Sequence, residues 1–174
     1  MLLRTVAKMR LVDSSNRKKD YVFFISHSTS DIADIVDEIG KVFKKCHIES
    51  YIADRDAPIG SVIPQEVKNA IEASELCLAV ITKKSKNSPW VNQEIGYALG
   101  AGIPVLPLKK GNIRIKGLIE SIKYVKVKDN PLDTVREVFS RLKGVQVSKS
   151  AEAAMLAVVG IMELMEIKEK KNEI

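Results

Sequence analysis

The sequence predicts a single α/β domain built on a doubly wound parallel sheet with helices on both faces. The chain has 174 residues, which is the usual length of one domain. Five short apolar or β-branched runs alternate with segments of helical periodicity, and no repeat or low-complexity linker divides them. Parallel strands joined by helices require right-handed crossovers, which place helices on both sides of one sheet.

Five segments have the composition of buried strands. They lie at residues 21–25, 48–53, 76–81, 105–108 and 122–127. The third is wholly apolar, as expected of a strand that is covered on both faces. The fourth contains Pro107, which has no backbone N–H, so we expect it at an edge of the sheet or at a strand end.

Four segments have the apolar spacing of amphipathic helices. They begin near Ile32, Pro64, Pro89 and Pro131. Ser28 and Ser30 precede the first as candidate caps. Ser88 and Pro89 form a cap followed by a proline in the first turn, so the third helix should run from about residue 89 to residue 101.

Two terminal segments lie outside the predicted domain, which spans residues 20–144. Residues 1–19 form a basic arm with six Lys and Arg against one Asp, and they have no long apolar run of the kind found in a secretory signal. Residues 148–171 predict an extra C-terminal helix that is apolar on most sides. Such a helix must be covered by its own domain or by another subunit, so we expect packing or oligomerisation through it.

Composition excludes several functional classes. The net charge is +6, but no basic stripe is interleaved with aromatic residues, so no nucleic-acid partner is expected. No apolar run has the length of a membrane span. Cys46 and Cys77 are too few for a disulfide framework, which indicates a reducing, cytoplasmic location. With two histidines and no Cys-x-x-Cys, neither a zinc site nor a serine triad is predicted, and we expect no metal.

The ligand site of a doubly wound sheet lies beyond the C-terminal ends of its strands. Here that edge comprises residues 26–28, the loop at 54–60, and residues 83–88 leading into the third helix. Trp90, Glu94 and Tyr97 share one stripe of that helix, with Glu94 within two turns of its start. A solvent-facing glutamate beside a tryptophan that anchors the helix would show the same spacing.

Three motifs at this edge resemble the TIR (Toll/interleukin-1 receptor) domain family over about residues 20–144. They are Phe-Ile-Ser-His-Ser at 24–28, the loop at 54–60, and Ser-Pro-Trp-Val-Asn-Gln-Glu-Ile at 88–95. The Trp-x-x-x-Glu pattern after the third strand is the most specific. The resemblance implies a flavodoxin-like five-stranded domain. Catalytic members of the family cleave NAD+ at the nicotinamide–ribose bond, and their catalytic glutamate and stacking tryptophan match Glu94 and Trp90.

The resemblance also implies NAD+ as a substrate rather than a bound cofactor. Arg55 would then pair with the diphosphate, although a salt bridge within its loop would use the same residue. His27 would meet the nicotinamide ring, or have only a loop or capping role. Ser26 and Ser28 would donate hydrogen bonds to ribose or phosphate, or cap the helix, and Tyr97 would complete the substrate-binding set.

Two departures and two other functions accompany this interpretation. Some active relatives have an arginine where this chain has Ser28 and an aromatic residue where it has Val62. Many TIR domains self-associate, so the alternative is a non-catalytic adaptor that forms homo-oligomers through TIR–TIR contacts. A third reading is a sensor that binds a nucleotide without cleaving it.

Overall fold

The computed structural model describes residues 11–12, 18–19, 21–28, 31, 35–45, 48–52 and 62–142 of the chain. Within the predicted basic arm it describes two short strands, β1 (Leu11–Val12) and β2 (Lys18–Lys19), which pair antiparallel. The remainder of the arm, the loop at 54–60 with Arg55, Cys46 and the predicted helix at 148–171 lie outside the described residues.

Five parallel strands form the central sheet. They are β3 (Tyr21–Ser26), β4 (Ser50–Ile52), β5 (Ser74–Ile81), β6 (Val105–Lys109) and β7 (Val125–Lys126). The spatial order is β4-β3-β5-β6-β7, and every pairing is parallel. Counted from β3, this is the 2-1-3-4-5 order of flavodoxin-like domains, so the predicted fold class is confirmed.

Four helices surround the sheet in the described part of the chain. They are α1 (Asp37–Lys45), α2 (Gln65–Glu72), α3 (Pro89–Gly100) and α4 (Pro131–Leu142). Each corresponds to a helix predicted from apolar spacing. Short 3-10 turns at Ser85–Asn87 and Gly117–Ile119 precede α3 and β7. No helix in the described ranges has both the length and the apolar character needed to cross a membrane.

Residues of β3, β5 and β6 contribute to two separate cores because successive strand side chains point to opposite faces of the sheet. On one face, Phe23 and Leu78 pack with α1 and α4, whose buried residues include Phe43 and Phe139. On the other face, Phe24 and the neighbouring strand residues pack with the buried stripes of α2 and α3. All eight residues of β5 are buried, as predicted for the apolar run at 76–81, and the strand begins two residues earlier, at Ser74.

The predicted edge position of Pro107 is wrong, because β6 lies between β5 and β7 and continues to Lys109. Lys110 N–H donates to Ile81 O on β5, whereas Lys109 O accepts from Val127 N–H on the β7 side. Along a strand, the backbone groups of successive residues point alternately toward the two neighbouring strands. The backbone nitrogen of Pro107 therefore faces β7, as the backbone of Lys109 does. The β7 pairing begins only opposite Leu108, so the missing N–H of Pro107 removes no ladder hydrogen bond.

The edge strands are shorter than predicted. β4 has three residues and β7 has two. Ile122 and Tyr124, which were expected in the last strand, pack against the second core from an irregular segment that follows the Gly117–Ile119 turn. Their apolar side chains are therefore accounted for by packing on a helix-covered face and not by strand pairing.

Candidate functional site

Glu94 is a buried carboxylate on the second turn of α3, and its side chain is 2% exposed. The helix begins as its sequence predicts, with Pro89 in the first turn and the Ser88 side chain accepting from Val91 N–H. Glu94 Oε2 accepts a hydrogen bond of 2.6 Å from Ser26 Oγ. The alternative of a solvent-facing glutamate at this position is therefore wrong.

Strand alternation explains why Ser26 reaches this helix. Ser26 is the last residue of β3 and pairs with Ala79 of β5. It lies two residues after Phe24, so both side chains point to the face of the sheet that α2 and α3 cover. A small hydroxyl at the strand end leaves room for Glu94 and supplies a donor to a group that can only accept when ionised.

Cys77 of β5 lies beneath the same helix-covered face and is fully buried. Burial raises the pKa of the Cys77 thiol, and the negative charge of Glu94 raises that pKa further. Cys77 and Glu94 therefore share the face of the sheet that α3 covers. The site therefore combines a charged group with a largely apolar floor, where electrostatic interactions are stronger than in water.

His27 follows β3 directly and is 8% exposed. Its Nδ1 lies 2.9 Å from Ser28 O. A carbonyl oxygen only accepts, so Nδ1 carries a proton in this contact. Among the described residues, the buried Nε2 atom has no hydrogen-bond partner. With Nδ1 engaged by this carbonyl, Nε2 is the ring nitrogen left to meet a polar group of a ligand at the end of β3.

A second buried carboxylate, Asp31, escaped the sequence analysis. Asp31 is 5% exposed and its Oδ2 accepts a hydrogen bond of 2.6 Å from Ser28 Oγ. Thr82, the residue after β5, donates from Oγ1 to Asp31 Oδ1 at 3.0 Å. The sequence carries a signal for the Thr82 end of this contact only: Thr82-x-x-Ser85 follows an apolar strand directly, a spacing at which hydroxyl side chains close turns. The lysines between them, Lys83 and Lys84, are exposed.

The two aromatic residues of the α3 stripe have different environments. Trp90 is half-buried in the first turn and packs against the second core. The Tyr97 hydroxyl donates to Glu72 Oε1 and so links α3 to α2, and Lys68 Nζ lies 5.6 Å from the Tyr97 ring centroid. Val62, where some active relatives have an aromatic residue, is 77% exposed.

These observations define a flavodoxin-like α/β domain with a buried carboxylate at the C-terminal edge of its sheet. The chain belongs to the TIR domain family, whose model matches residues 23–142. Among solved structures it is similar to the TIR domain of the Toll-related receptor TRR-2 from Hydra magnipapillata, with a TM-score of 0.57 and 15% identity over 71% of this chain and 99% of that one. At this identity the likeness shows the fold alone.

A curated relative from Methanobrevibacter olleyae is named as a probable 2′ cyclic ADP-D-ribose synthase, TcpO. It is 28% identical to this chain over 87 residues, which is 47% of this chain and 26% of the relative. The chain therefore spans about a quarter of the length of that protein.

Proposed function

We propose that this TIR domain cleaves NAD+ at the nicotinamide–ribose bond, giving nicotinamide and either ADP-ribose or a cyclic ADP-ribose. The observation that carries the proposal is the burial of Glu94 at the C-terminal edge of the sheet, where Ser26 holds its carboxylate. The name of the distant relative from Methanobrevibacter olleyae, a probable 2′ cyclic ADP-D-ribose synthase, supports the same chemistry. The setting we propose is intracellular signalling or defence.

One carboxylate is sufficient for this reaction. Breaking the C–N glycosidic bond leaves positive charge on the ribose, as in other glycosyl transfers. The electron pair of that bond returns to the pyridinium ring, so nicotinamide leaves as a neutral molecule and needs no general acid. Glu94 would stabilise the developing charge electrostatically and hold the ribose hydroxyls. Water then adds at C1′ and loses a proton to give ADP-ribose, or an internal nucleophile of the ADP-ribose adds there to give a cyclic product.

The neighbouring residues supply binding groups for the same substrate. The half-buried indole of Trp90 offers a stacking surface one helical turn before Glu94. The Nε2 atom of His27, which has no hydrogen-bond partner among the described residues, would contact the carboxamide of nicotinamide, and Ser28 lies beside it. Arg55 stays a prediction for the diphosphate. The Tyr97 hydroxyl already donates to Glu72, so Tyr97 would contribute its ring and its link between α3 and α2.

The decisive experiment is NAD+ turnover by the wild-type chain and by Glu94→Gln, with the products separated by chromatography. The amide keeps the shape of the side chain but removes its charge, so we expect turnover to fall roughly 10²–10³-fold. Glu38→Gln is the matched control, because Glu38 is exposed on α1 at the opposite face of the sheet. Equal turnover by wild type and Glu94→Gln, with both chains folded, would refute the proposal.

A second function, homotypic association without catalysis, is favoured by two exposed apolar side chains. Val62 is 77% exposed and Leu118 is 66% exposed, and a homotypic contact would cover these apolar side chains. An adaptor of this kind would consume no NAD+ even at high protein concentration. It would self-associate in light scattering, and Val62→Ser or Leu118→Ser would weaken that association.

A further inference from the structure

We propose that Asp31 is a positioning residue for the Glu94 site, and this inference rests on the function proposed above. Asp31 joins the segment after β3 to the turn after β5 through hydrogen bonds from Ser28 and Thr82. The first segment directly follows Ser26, the last residue of β3, and the second leads into the helix that carries Glu94. Asp31 therefore fixes the distance between the two halves of the candidate site.

The Thr82 side of this connection is fully hydrogen-bonded. Thr82 Oγ1 donates to Asp31 and accepts from the N–H groups of Lys84 and Ser85, both at 3.0 Å. Thr82 N–H donates to Ser85 Oγ at 2.7 Å, and Ser85 Oγ donates to Val80 O at 2.8 Å. With two N–H groups already directed at its oxygen, the Thr82 hydroxyl is committed to donating, and the carboxyl oxygens of Asp31 are the acceptors that it meets.

The turn passes this constraint on to α3. Ser88 N–H donates to Ser85 O at 2.8 Å, and Ser88 is the N-cap of the helix. Trp90 and Glu94 therefore start from a point that Asp31 helps to fix. On the other side, Ser28 is two residues from Ser26, which donates to Glu94 at 2.6 Å. The hydrogen bonds and the intervening backbone form a closed ring with Asp31 and Glu94 on opposite sides.

The chemistry of an amide shows why the carboxylate is required. Asparagine at position 31 would keep the volume but replace one acceptor oxygen by an N–H₂ donor. Ser28 and Thr82 both donate to Oδ2, and Thr82 also donates to Oδ1, so the replacement weakens at least one of the two connections. The ring would open on one side while the backbone turn itself stays closed.

The first test compares Asp31→Asn with Asp37→Asn, which makes the same change at an exposed site on α1. We expect Asp31→Asn to lower kcat for NAD+ about 10- to 100-fold per folded molecule, the value of a buried hydrogen bond to a charged group. KM should change much less, because a displaced Glu94 weakens stabilisation of the transition state more than binding of the substrate. Asp37→Asn should match wild type in both constants.

A second pair of variants covers the outcome in which Asp31→Asn does not fold. Thr82→Val removes the hydroxyl and keeps the shape, whereas Thr82→Ser keeps the hydroxyl. We expect Thr82→Val to lose kcat and Thr82→Ser to retain most of it. Variants that lose thermal stability but keep the kcat of wild type per folded molecule would show that Asp31 and Thr82 are structural only, and would overturn the proposal.

Trp90 provides a measurement that does not depend on catalysis, because it is the single tryptophan of the chain and lies in the first turn of α3. Opening the ring should increase acrylamide quenching of Trp90 fluorescence in Asp31→Asn and Thr82→Val but not in Asp37→Asn. If wild type does not cleave NAD+, the proposed function is refuted, and the quenching comparison alone decides the positioning role. Quenching equal to that of Asp37→Asn would then refute it.

Discussion

Ser26 and Glu94 are separated by 68 residues in the sequence, and a 2.6 Å hydrogen bond joins Ser26 Oγ to Glu94 Oε2. The contact depends on two periodicities, since alternation along β3 directs Ser26 to one face of the sheet and the phase of α3 directs Glu94 back to it. The carboxylate is thus held in one position by the fold itself, which is the preorganisation that electrostatic catalysis requires.

Removing the Ser26 hydroxyl should destabilise the domain. Ser26→Ala leaves the buried Glu94 carboxylate without one of its donors, so we expect the free energy of unfolding to fall by about 1–3 kcal/mol. Urea denaturation would measure the change. Ser140→Ala is the matched control, because Ser140 is exposed on α4 and its replacement should be nearly neutral. A Ser26→Ala chain as stable as this control would contradict the assigned contact.

Substitutions on both faces of the sheet should lower stability, but only those on the face of Glu94 should also lower activity. Phe43 stacks on Phe23 with ring centroids 4.7 Å apart, on the face away from Glu94. Phe24 stacks on Tyr51 and shares the Glu94 face. Phe43→Leu and Phe24→Leu should each cost roughly 1–2 kcal/mol of stability. Only Phe24→Leu should also lower NAD+ turnover per folded molecule, and equal turnover by both variants would argue against a site on one face.

The contact between Tyr97 and Glu72 should couple α2 to α3 energetically. In a double-mutant cycle of Tyr97→Phe and Glu72→Gln, we expect a coupling energy of about 1 kcal/mol, because the bond involves a charged acceptor in a partly exposed place. Thermal or urea unfolding of the four chains gives the value. Additive effects of the two substitutions would mean that the helices are not joined by this bond.

The buried thiol of Cys77 should make stability depend on alkaline pH. Burial raises the pKa of Cys77 above its ordinary value of 9.0, so above that value only the unfolded chain releases the proton. The stability that the thiol contributes is therefore complete at lower pH and is lost as the pH rises. The difference in unfolding free energy between wild type and Cys77→Ala should be about 1.4 kcal/mol smaller at about pH 10 than at about pH 7.5.

Urea unfolding of both chains at the two pH values provides the measurement. Cys46 and the other titrating groups are common to both chains and cancel in the difference. A difference that is independent of pH would mean that the Cys77 thiol ionises as readily in the folded chain as in the unfolded one.

The sequence was most informative about the order and type of elements. Apolar runs and helical spacing located the five central strands and the four helices, because burial on both sheet faces and on one helix stripe leaves a direct pattern. The lengths of the two edge strands were harder to predict from the sequence. Ile122 and Tyr124 have the composition of a strand, but they pack on the second core without pairing. Composition indicates whether a segment is buried, but it does not indicate which groups form hydrogen bonds with the backbone of that segment.

The site was predictable only in part for a similar physical reason. Glu94 and Ser26 lie in motifs at the expected sheet edge, yet spacing alone favoured a solvent-facing position for Glu94. The contact between Asp31 and Thr82 was missed because the two residues are 51 positions apart in the sequence. A hydrogen bond between two loops depends on the register of β3 against β5, which the local pattern does not specify.

The short outer strands restrict how copies of this domain can meet. β4 and β7 close the two sides of the sheet with three and two residues. Unpaired backbone groups along a long border strand are what allow one sheet to extend into another chain. In the described part of the chain these borders offer little strand backbone, which disfavours side-by-side growth of the sheet and leaves helix surfaces for contacts between molecules.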